Sequence, residues 1–254
     1  MLSIYDSFGY PLADRERYEL IRQAGFEGVL LLWSDGFGRG PGYRQAPDIA
    51  RRAGLTVENI HAPVQWQNDL WRNDLAGDSC FRQYLQCIAE CAERRIPTVV
   101  IHLPADSCIL TPMGMQRILQ LADTAEALRV NLAFENLGNL KALTQVMKAA
   151  DSTRVGLCYD SCHHANYAPE VDLLGQWGHR LMALHLHDNG GAYREHQLPF
   201  DGHVDWTQTM RDITLTGYEG STALEPMNWA YSKLSPEAFL EKAYETAQRL
   251  HALR

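Results

Sequence analysis

The chain has 254 residues, of which 46% are hydrophobic and 21% are charged, and its formal net charge is −8. The acidic balance argues against a dedicated nucleic-acid-binding protein, because phosphate contacts need local positive charge. The N-terminal residues show no basic segment followed by an apolar one, and no apolar run reaches the ~18 residues of a membrane span. We therefore expect a cytoplasmic protein that contacts neither nucleic acid nor membrane.

Predicted strands and helices alternate along the whole chain. The strands are short apolar runs, and the helices are amphipathic segments, of which several end at glycine. The predicted strands are Leu2–Asp6, Gly28–Trp33, Thr56–Ala62, Thr98–Leu103, Asn131–Asn136, Val155–Asp160, Leu181–Asp188 and Ser221–Glu225. The predicted helices are Leu12–Gly25, Arg44–Gly54, Ser79–Arg95, Met113–Leu128, Leu140–Ala150, Val171–Trp177, Trp206–Leu215 and Pro236–Leu253.

Strict alternation of strand and helix requires parallel strands with the helices outside. Eight such units in about 250 residues match the size of a (β/α)₈ barrel. The sequence therefore predicts an α/β protein with one TIM-barrel domain over residues 1–254. A doubly wound open sheet is the alternative, but no Gly-x-Gly-x-x-Gly motif follows the first strand. The six cysteines show no Cys-x-x-Cys spacing, so we expect reduced, mostly buried thiols.

Side chains able to bind a metal stand at the C-terminal ends of six successive predicted strands. In chain order they are His61, His102, Glu135, Asp160, His185 with His187, and Glu225. In a barrel these ends converge on one mouth, where active sites lie. Residues two apart in a strand share a face. Each candidate shares its face with the smaller or more polar residues of its strand, so we expect the whole set to point inward.

A single Glu or His at a strand end is more often a surface residue or a satisfied polar group than a metal ligand. The set as a whole is different, because carboxylates and imidazoles gathered in one mouth need a cation or shared protons. Two Glu, one Asp and one His form a ligand set that suits Mn²⁺, Mg²⁺, Fe²⁺ or Co²⁺. Additional histidine ligands would favour Zn²⁺.

Short motifs around these residues occur in a fixed order along the chain. They are Ile60-His61-Ala62-Pro63, Ile101-His102-Leu103-Pro104, Phe134-Glu135-Asn136, Tyr159-Asp160-Ser161-Cys162-His163, His185-Leu186-His187-Asp188-Asn189, His196-Gln197-Leu198-Pro199 and Leu224-Glu225-Pro226. The ordered set resembles the xylose isomerase-like TIM barrel superfamily, which joins sugar isomerases and epimerases with the AP endonuclease family. The resemblance implies one divalent ion (Mn²⁺, Zn²⁺, Mg²⁺ or Co²⁺). Its ligands would be Glu135, Asp160, His185 and Glu225.

The resemblance also implies a reaction. We expect an isomerase or epimerase of a sugar or sugar-like ketone that works through a metal-stabilised enediolate, with Glu135 and Glu225 as base and acid. The residues expected to contact this small carbohydrate substrate are His61, His102, His163, His187, His196 and Trp33, with Trp66 as a second candidate for an apolar wall. Barrels of this kind commonly associate, which leaves a homo-oligomer open. An inosose-type dehydratase would use the same first step.

Two alternatives remain at this stage. In the AP endonuclease branch, His61, His102, His163 and His196 would complete a three-zinc cluster of a phosphoesterase. That branch has Asp two residues before the position of His196, where this chain has Arg194, and its Pro-Gly-x-Gly turn is replaced by Pro199-Phe200-Asp201-Gly202. A barrel that binds its ligand without catalysis is the other alternative.

Overall fold

Eight parallel strands form the inner wall of the molecule. The computed structural model describes residues 1–36, 41–191 and 195–254, so Arg194 lies outside the described residues. The strands are β1 (Leu2–Tyr5), β2 (Gly28–Leu32), β3 (Thr56–His61), β4 (Thr98–Ile101), β5 (Asn131–Glu135), β6 (Val155–Asp160), β7 (Leu181–His185) and β8 (Thr222–Leu224). Neighbours in sequence pair in parallel from β1 to β7, and β1 also pairs with β8.

The barrel closes between β7 and β8. Leu186 follows β7, and its N–H donates to the carbonyl of Ala223 at 3.0 Å. Its carbonyl accepts from the N–H of Glu225, also at 3.0 Å. The predicted (β/α)₈ barrel is therefore confirmed, although β7 ends at His185, earlier than the predicted strand.

Helices cover the outside of the barrel. They are α1 (Asp14–Ala24), α2 (Ala46–Arg52), α3 (Leu75–Glu93), α4 (Pro112–Leu128), α5 (Leu140–Ala149), α6 (Ser161–Tyr167), α7 (Leu173–Trp177), α8 (Trp206–Leu215) and α9 (Pro236–His251). In the part of the chain that the structure describes, no helix is long and apolar enough to cross a membrane.

The two helices that differ most from the prediction both begin at an aspartate cap. Helix α3 begins four residues before the predicted start, because the carboxylate of Asp74 accepts from the N–H groups of Ala76 and Gly77. Helix α6 was not predicted at all. It follows β6 directly, and its cap is Asp160, which accepts from the N–H of His163 at 2.7 Å.

The barrel interior confirms which residues of strands β4 to β7 point inward. Val100, Ala133, Cys158 and Ala183 form a small buried cluster of their own, apart from the large core between strands and helices. Each of these four residues is followed two positions later by a predicted site residue. Those site residues are His102, Glu135, Asp160 and His185. Small side chains thus fill the barrel beneath the mouth, and the polar groups stand directly above them.

The cysteines give a direct test of this packing. All six are free, and Cys108 alone among them is not buried. Burial raises the pKa of Cys158 and Cys87 to about 12 and that of Cys80 to about 11. Because the thiolate is the reactive form, we expect iodoacetamide at pH 8 to label only Cys108 in the folded protein and all six thiols after denaturation. Mass spectrometry counts the labels, and rapid native labelling of Cys158 would contradict the packing.

Candidate metal and substrate site

A cavity of about 510 Å³ opens at the C-terminal ends of the strands. Its lining includes six of the predicted site residues: His61, His102, Glu135, His163, His196 and Glu225. Asp160, His185 and His187 lie buried beside these residues. The structure therefore brings together the four predicted metal ligands and the five predicted substrate-contacting histidines.

The carboxylate of Glu135 stands at the centre of the cluster. Its Oε2 lies 3.0 Å from Nδ1 of His185, 3.2 Å from Nε2 of His102 and 3.3 Å from Nε2 of His61. Within the described ranges, neither Glu135 Oε2 nor His185 Nδ1 has a hydrogen-bond partner of suitable geometry, although both are buried. Buried polar atoms normally have partners. Atoms that converge without hydrogen bonds fit a bound cation.

His61 and His102 are each oriented by a protein oxygen that contacts Nδ1 of the ring. Nδ1 of His61 lies 2.9 Å from the carbonyl of Ala62, and Nδ1 of His102 lies 2.9 Å from Oε1 of Gln67. Both oxygens accept hydrogen bonds, so each Nδ1 carries the proton and donates. Each Nε2 faces Glu135, and in the neutral form of the ring it would present its lone pair there, which is the arrangement of a metal-binding imidazole.

Asp160 is held from several directions. Its Oδ1 caps α6, and its Oδ2 accepts from Nε2 of His187 at 2.9 Å. The Asn136 side chain accepts from the N–H of Asp160 at 2.7 Å and donates to its carbonyl at 2.9 Å. Burial favours the neutral acid, but His163 and His187 outweigh it and hold the pKa of Asp160 well below its usual range. His187 thus orients a predicted ligand, and Asp160 is ionised at neutral pH.

The two glutamates have pKa values that move in opposite directions. Burial opposes ionisation of Glu135, yet His102 and His185 outweigh burial and hold its pKa well below the ordinary value. The pKa of Glu225 is raised, mainly by burial and also by the charge of Glu135, although His185 opposes the change. Nδ1 of His185 lies 3.3 Å from Oε2 of Glu225, so this histidine contacts both carboxylates. A pair of acids whose pKa values diverge is suited to divide base and acid roles.

The family follows from comparison with known proteins. The family model described as xylose isomerase-like TIM barrel matches residues 18–249. The chain belongs to this family. The y4fM protein of Sinorhizobium fredii is 28% identical over 96% of this chain and 90% of its own length. The fructoselysine 3-epimerase of Shigella flexneri is 24% identical over 53% of this chain and 51% of its own length.

Solved structures share the fold of this xylose isomerase-like barrel. The D-psicose 3-epimerase with D-tagatose from Clostridium cellulolyticum H10 superimposes with a TM-score of 0.79 at 17% identity, over 99% of this chain and 98% of that one. The IOLI protein with a bound zinc atom gives a TM-score of 0.78 at 17% identity, over 99% and 96% of the two chains. At such identities the likeness concerns the fold.

Trp33, predicted to contact substrate, is buried and is not among the residues that line the cavity. Leu32 lines the cavity, so the next residue points to the opposite side of the strand. The indole N–H of Trp33 donates to Glu90 of α3, and its ring packs edge-on against Tyr43 with centroids 5.2 Å apart. Trp66, the second candidate, is 63% exposed and lies outside the cavity lining.

Trp229 is a tryptophan that does lie at the cavity. It lines the cavity and is 54% exposed, and its ring meets that of His196 edge-on, with centroids 5.6 Å apart. Its turn is fixed, because the N–H of Met227 donates to the carbonyl of His196 at 2.8 Å. The available sequence signal was its place four residues after Glu225, in the loop that follows β8.

Proposed function

We propose that the protein is a divalent-metal-dependent isomerase or epimerase of a sugar or sugar-like ketone. The observation that carries the proposal is that His185 contacts both Glu135 and Glu225, whose oxygens lie 3.0 and 3.3 Å from the same ring nitrogen. Family membership supports it, as does the partial similarity to a fructoselysine 3-epimerase and the fold shared with a D-psicose 3-epimerase.

The proposal assigns a separate role to each group of site residues. Glu135, Asp160, His185 and Glu225 would hold the ion. When bound, the ion supplies Lewis-acid stabilisation of negative charge on the substrate oxygens. Glu135 is ionised and lines the cavity floor, so it takes the proton from the carbon beside the ketone.

Glu225 has the complementary property. In the metal-free protein its pKa is raised, whereas that of Glu135 is lowered, and we assign Glu225 as the group that returns a proton to the substrate. Nδ1 of His163 lies 3.0 Å from Oε1 of Glu135, and His163 itself lines the cavity. His163 can therefore hold a substrate hydroxyl next to the base. Removal of the same proton would also begin the dehydration of an inosose-type ketone.

A zinc-dependent phosphoesterase is the second candidate, and one observation favours it. Nε2 of His61 and Nε2 of His102 lie 3.1 Å apart, and both point at Oε2 of Glu135. This trio has the ligand types and closeness to hold an additional ion.

A metal count and an exchange experiment separate the candidates. For the isomerase or epimerase we expect one ion per chain and incorporation of solvent deuterium into a ketose or inosose, tested with Mn²⁺ and Zn²⁺. Three zinc ions per chain, with phosphodiester cleavage and no deuterium exchange, would establish the phosphoesterase instead. A metal-loaded protein that binds a sugar without exchange would be a binding protein.

Trp229 should affect substrate binding more than turnover. In a Trp229→Ala variant we expect KM to rise about 3- to 10-fold with kcat nearly unchanged, because the indole supplies an apolar contact at the rim and no reacting group. Steady-state kinetics with the substrate found in the screen measure both constants. Trp66→Ala is the matched control, since it removes an exposed indole outside the cavity. Equal KM values for Trp229→Ala and the wild type would contradict the assignment.

A further inference from the structure

The buried carboxylate of Asp188 lies behind the site rather than in the cavity lining. Asp188 directly follows His187 in the chain and has no solvent exposure. Its Oδ2 accepts from the N–H of Phe200 at 3.0 Å and from the indole N–H of Trp206 at 2.7 Å. Its Oδ1 accepts from the N–H of Val204 at 3.0 Å and from that of Asn189 at 2.9 Å. One buried carboxyl group thus accepts from four donors, three of which lie 12 to 18 residues further along the chain.

These hydrogen bonds organise the segment of residues 195–205 that leads into α8. Asp188 and Gln197 also pair through their backbones, with two N–H to carbonyl bonds of 2.8 Å. The N–H of His203 donates to the carbonyl of Asn189 at 2.9 Å. Gly202 packs so closely on Asp188 and Asn189 that a β-carbon there would collide with both. The segment is therefore built around the Asp188 carboxylate.

His196 projects from this segment into the cavity, where neighbouring rings fix the position of its side chain. The ring of His196 stacks on that of His187, with centroids 4.0 Å apart and planes 7° from parallel, and meets the edge of Trp229. Nδ1 of His196 lies 3.1 Å from the carbonyl of Glu225, to which it can donate. His196 thus connects the buried floor of the site with its aromatic rim.

The backbone of this segment is strained at two residues, one before and one after the residue that pairs with Asp188. His196 has a φ of 43° and Phe200 a φ of 74°, and both are in the left-handed region that favours glycine. Such conformations cost free energy and persist only where the surroundings fix them. The hydrogen bond from Phe200 to Asp188 and the backbone pairing of Gln197 supply that restraint next to each strained residue.

We propose that Asp188 is a positioning residue that fixes His196 over the metal and substrate site. It touches none of the reacting groups, and it acts by holding the segment from which His196 projects. The kinetic consequence rests on the proposed sugar isomerase or epimerase function, whereas the structural consequence does not.

Asp188→Asn tests the structural consequence without any substrate. The amide keeps the size of the carboxylate, but its NH₂ group faces N–H donors. We expect the His196 imidazole NMR resonances to lose the ring-current shift of the stacked pair, and amide exchange in residues 195–205 to speed up at least about 10-fold while β4 is unchanged. Trp206→Phe removes only one donor and should give a smaller change in the same direction. Unchanged His196 resonances and exchange in Asp188→Asn would overturn the proposal.

A matched control lies in the same segment. Asp201 accepts from Tyr231 and Lys242 on the outer surface, so Asp201→Asn should leave the His196 resonances in place. A shift in Asp201→Asn as large as that in Asp188→Asn would show general loosening of the segment and overturn the specific role of Asp188.

A double-mutant cycle tests the kinetic consequence. We expect Asp188→Asn to lower kcat/KM about 10- to 100-fold, and to change it less than about twofold when His196 is already alanine. Full additivity of the two substitutions would overturn the route through His196. If the wild type exchanges deuterium into no ketose, the proposed function fails, and the resonance and exchange measurements still decide the role of Asp188.

Discussion

Glu135→Gln is expected to lower kcat by about 10²- to 10⁴-fold, the usual contribution of a positioned general base. The carboxylate lies at the centre of the cluster, within 3.0 to 3.3 Å of three imidazole nitrogens, and its low pKa keeps it ionised. Glutamine preserves the shape and one oxygen but cannot accept the proton. Metal affinity should fall as well, because one anionic ligand is lost.

Kinetics and a metal titration on the same preparation separate these two losses. If saturating metal restores binding but not kcat, Glu135 acts as the base as well as a ligand. Asp106→Asn is the matched control, because Asp106 is a carboxylate that lines the same cavity on the loop after β4, and it should leave kcat nearly unchanged. If Glu135→Gln and Glu225→Gln both keep the metal and full activity, the base and acid assignments are wrong.

The barrel and most of its site follow from local patterns in the sequence. Alternating strands and helices permit few topologies other than a closed parallel sheet. Once the sheet is closed, the twofold period of a strand decides which side chains point inward. Val100 and His102 illustrate this, since the first joins the buried cluster inside the barrel and the second lines the cavity.

The same rule explains why Trp33 lies outside the cavity lining. The alternation that places Leu32 in the cavity turns the next residue outward, toward Glu90 on α3. An indole suits an apolar wall for a sugar, but the strand period places Trp33 on the other face. Trp229 could be found only from the loop after β8, where no strand period applies and long-range contacts such as that with His196 fix the ring.

Helix α6 and the hydrogen bonds of Asp188 could not be predicted from local patterns in the sequence. Asp160 appeared in the sequence only as a strand-end ligand, yet its second oxygen caps α6, a helix of seven residues that is too short for a periodic pattern. Asp188 appeared only as the end of a strand. Its four hydrogen bonds reach as far as Trp206, and no local pattern encodes such partners.

Removal of the metal is expected to lower the thermal stability substantially. A ligand that binds only the folded state adds about 4 kcal/mol when its free concentration is 1,000 times Kd. For a chain of this size each kcal/mol shifts Tm by roughly 2 to 4 °C. We therefore expect Mn²⁺ or Zn²⁺ at that excess to raise Tm by about 8 to 16 °C above the chelator-treated protein, measured by differential scanning calorimetry.

The rise in Tm on metal addition should be larger at higher pH. Burial favours neutral His185, but the nearby Glu225 and Glu135 carboxylates outweigh it, so the pKa of His185 in the metal-free protein lies well above its usual value. A raised pKa stabilises the metal-free fold fully below the unfolded pKa of ~6.5, and this stabilisation is lost as the pH rises through the folded value. Metal needs the neutral ring, so binding releases a proton and tightens with pH.

Two histidine variants test whether the metal ligand is His185 or His187. His185→Ala should abolish the metal-dependent rise in Tm, because it removes a nitrogen that faces both Glu135 and Glu225. His187→Ala should weaken the rise without abolishing it, since Nε2 of His187 contacts Asp160 at 2.9 Å and leaves the other ligands in place. His179→Ala, on the exposed turn before β7, is the control and should keep the full rise. The opposite ranking of His185→Ala and His187→Ala would place the metal against His187, one strand repeat nearer the mouth.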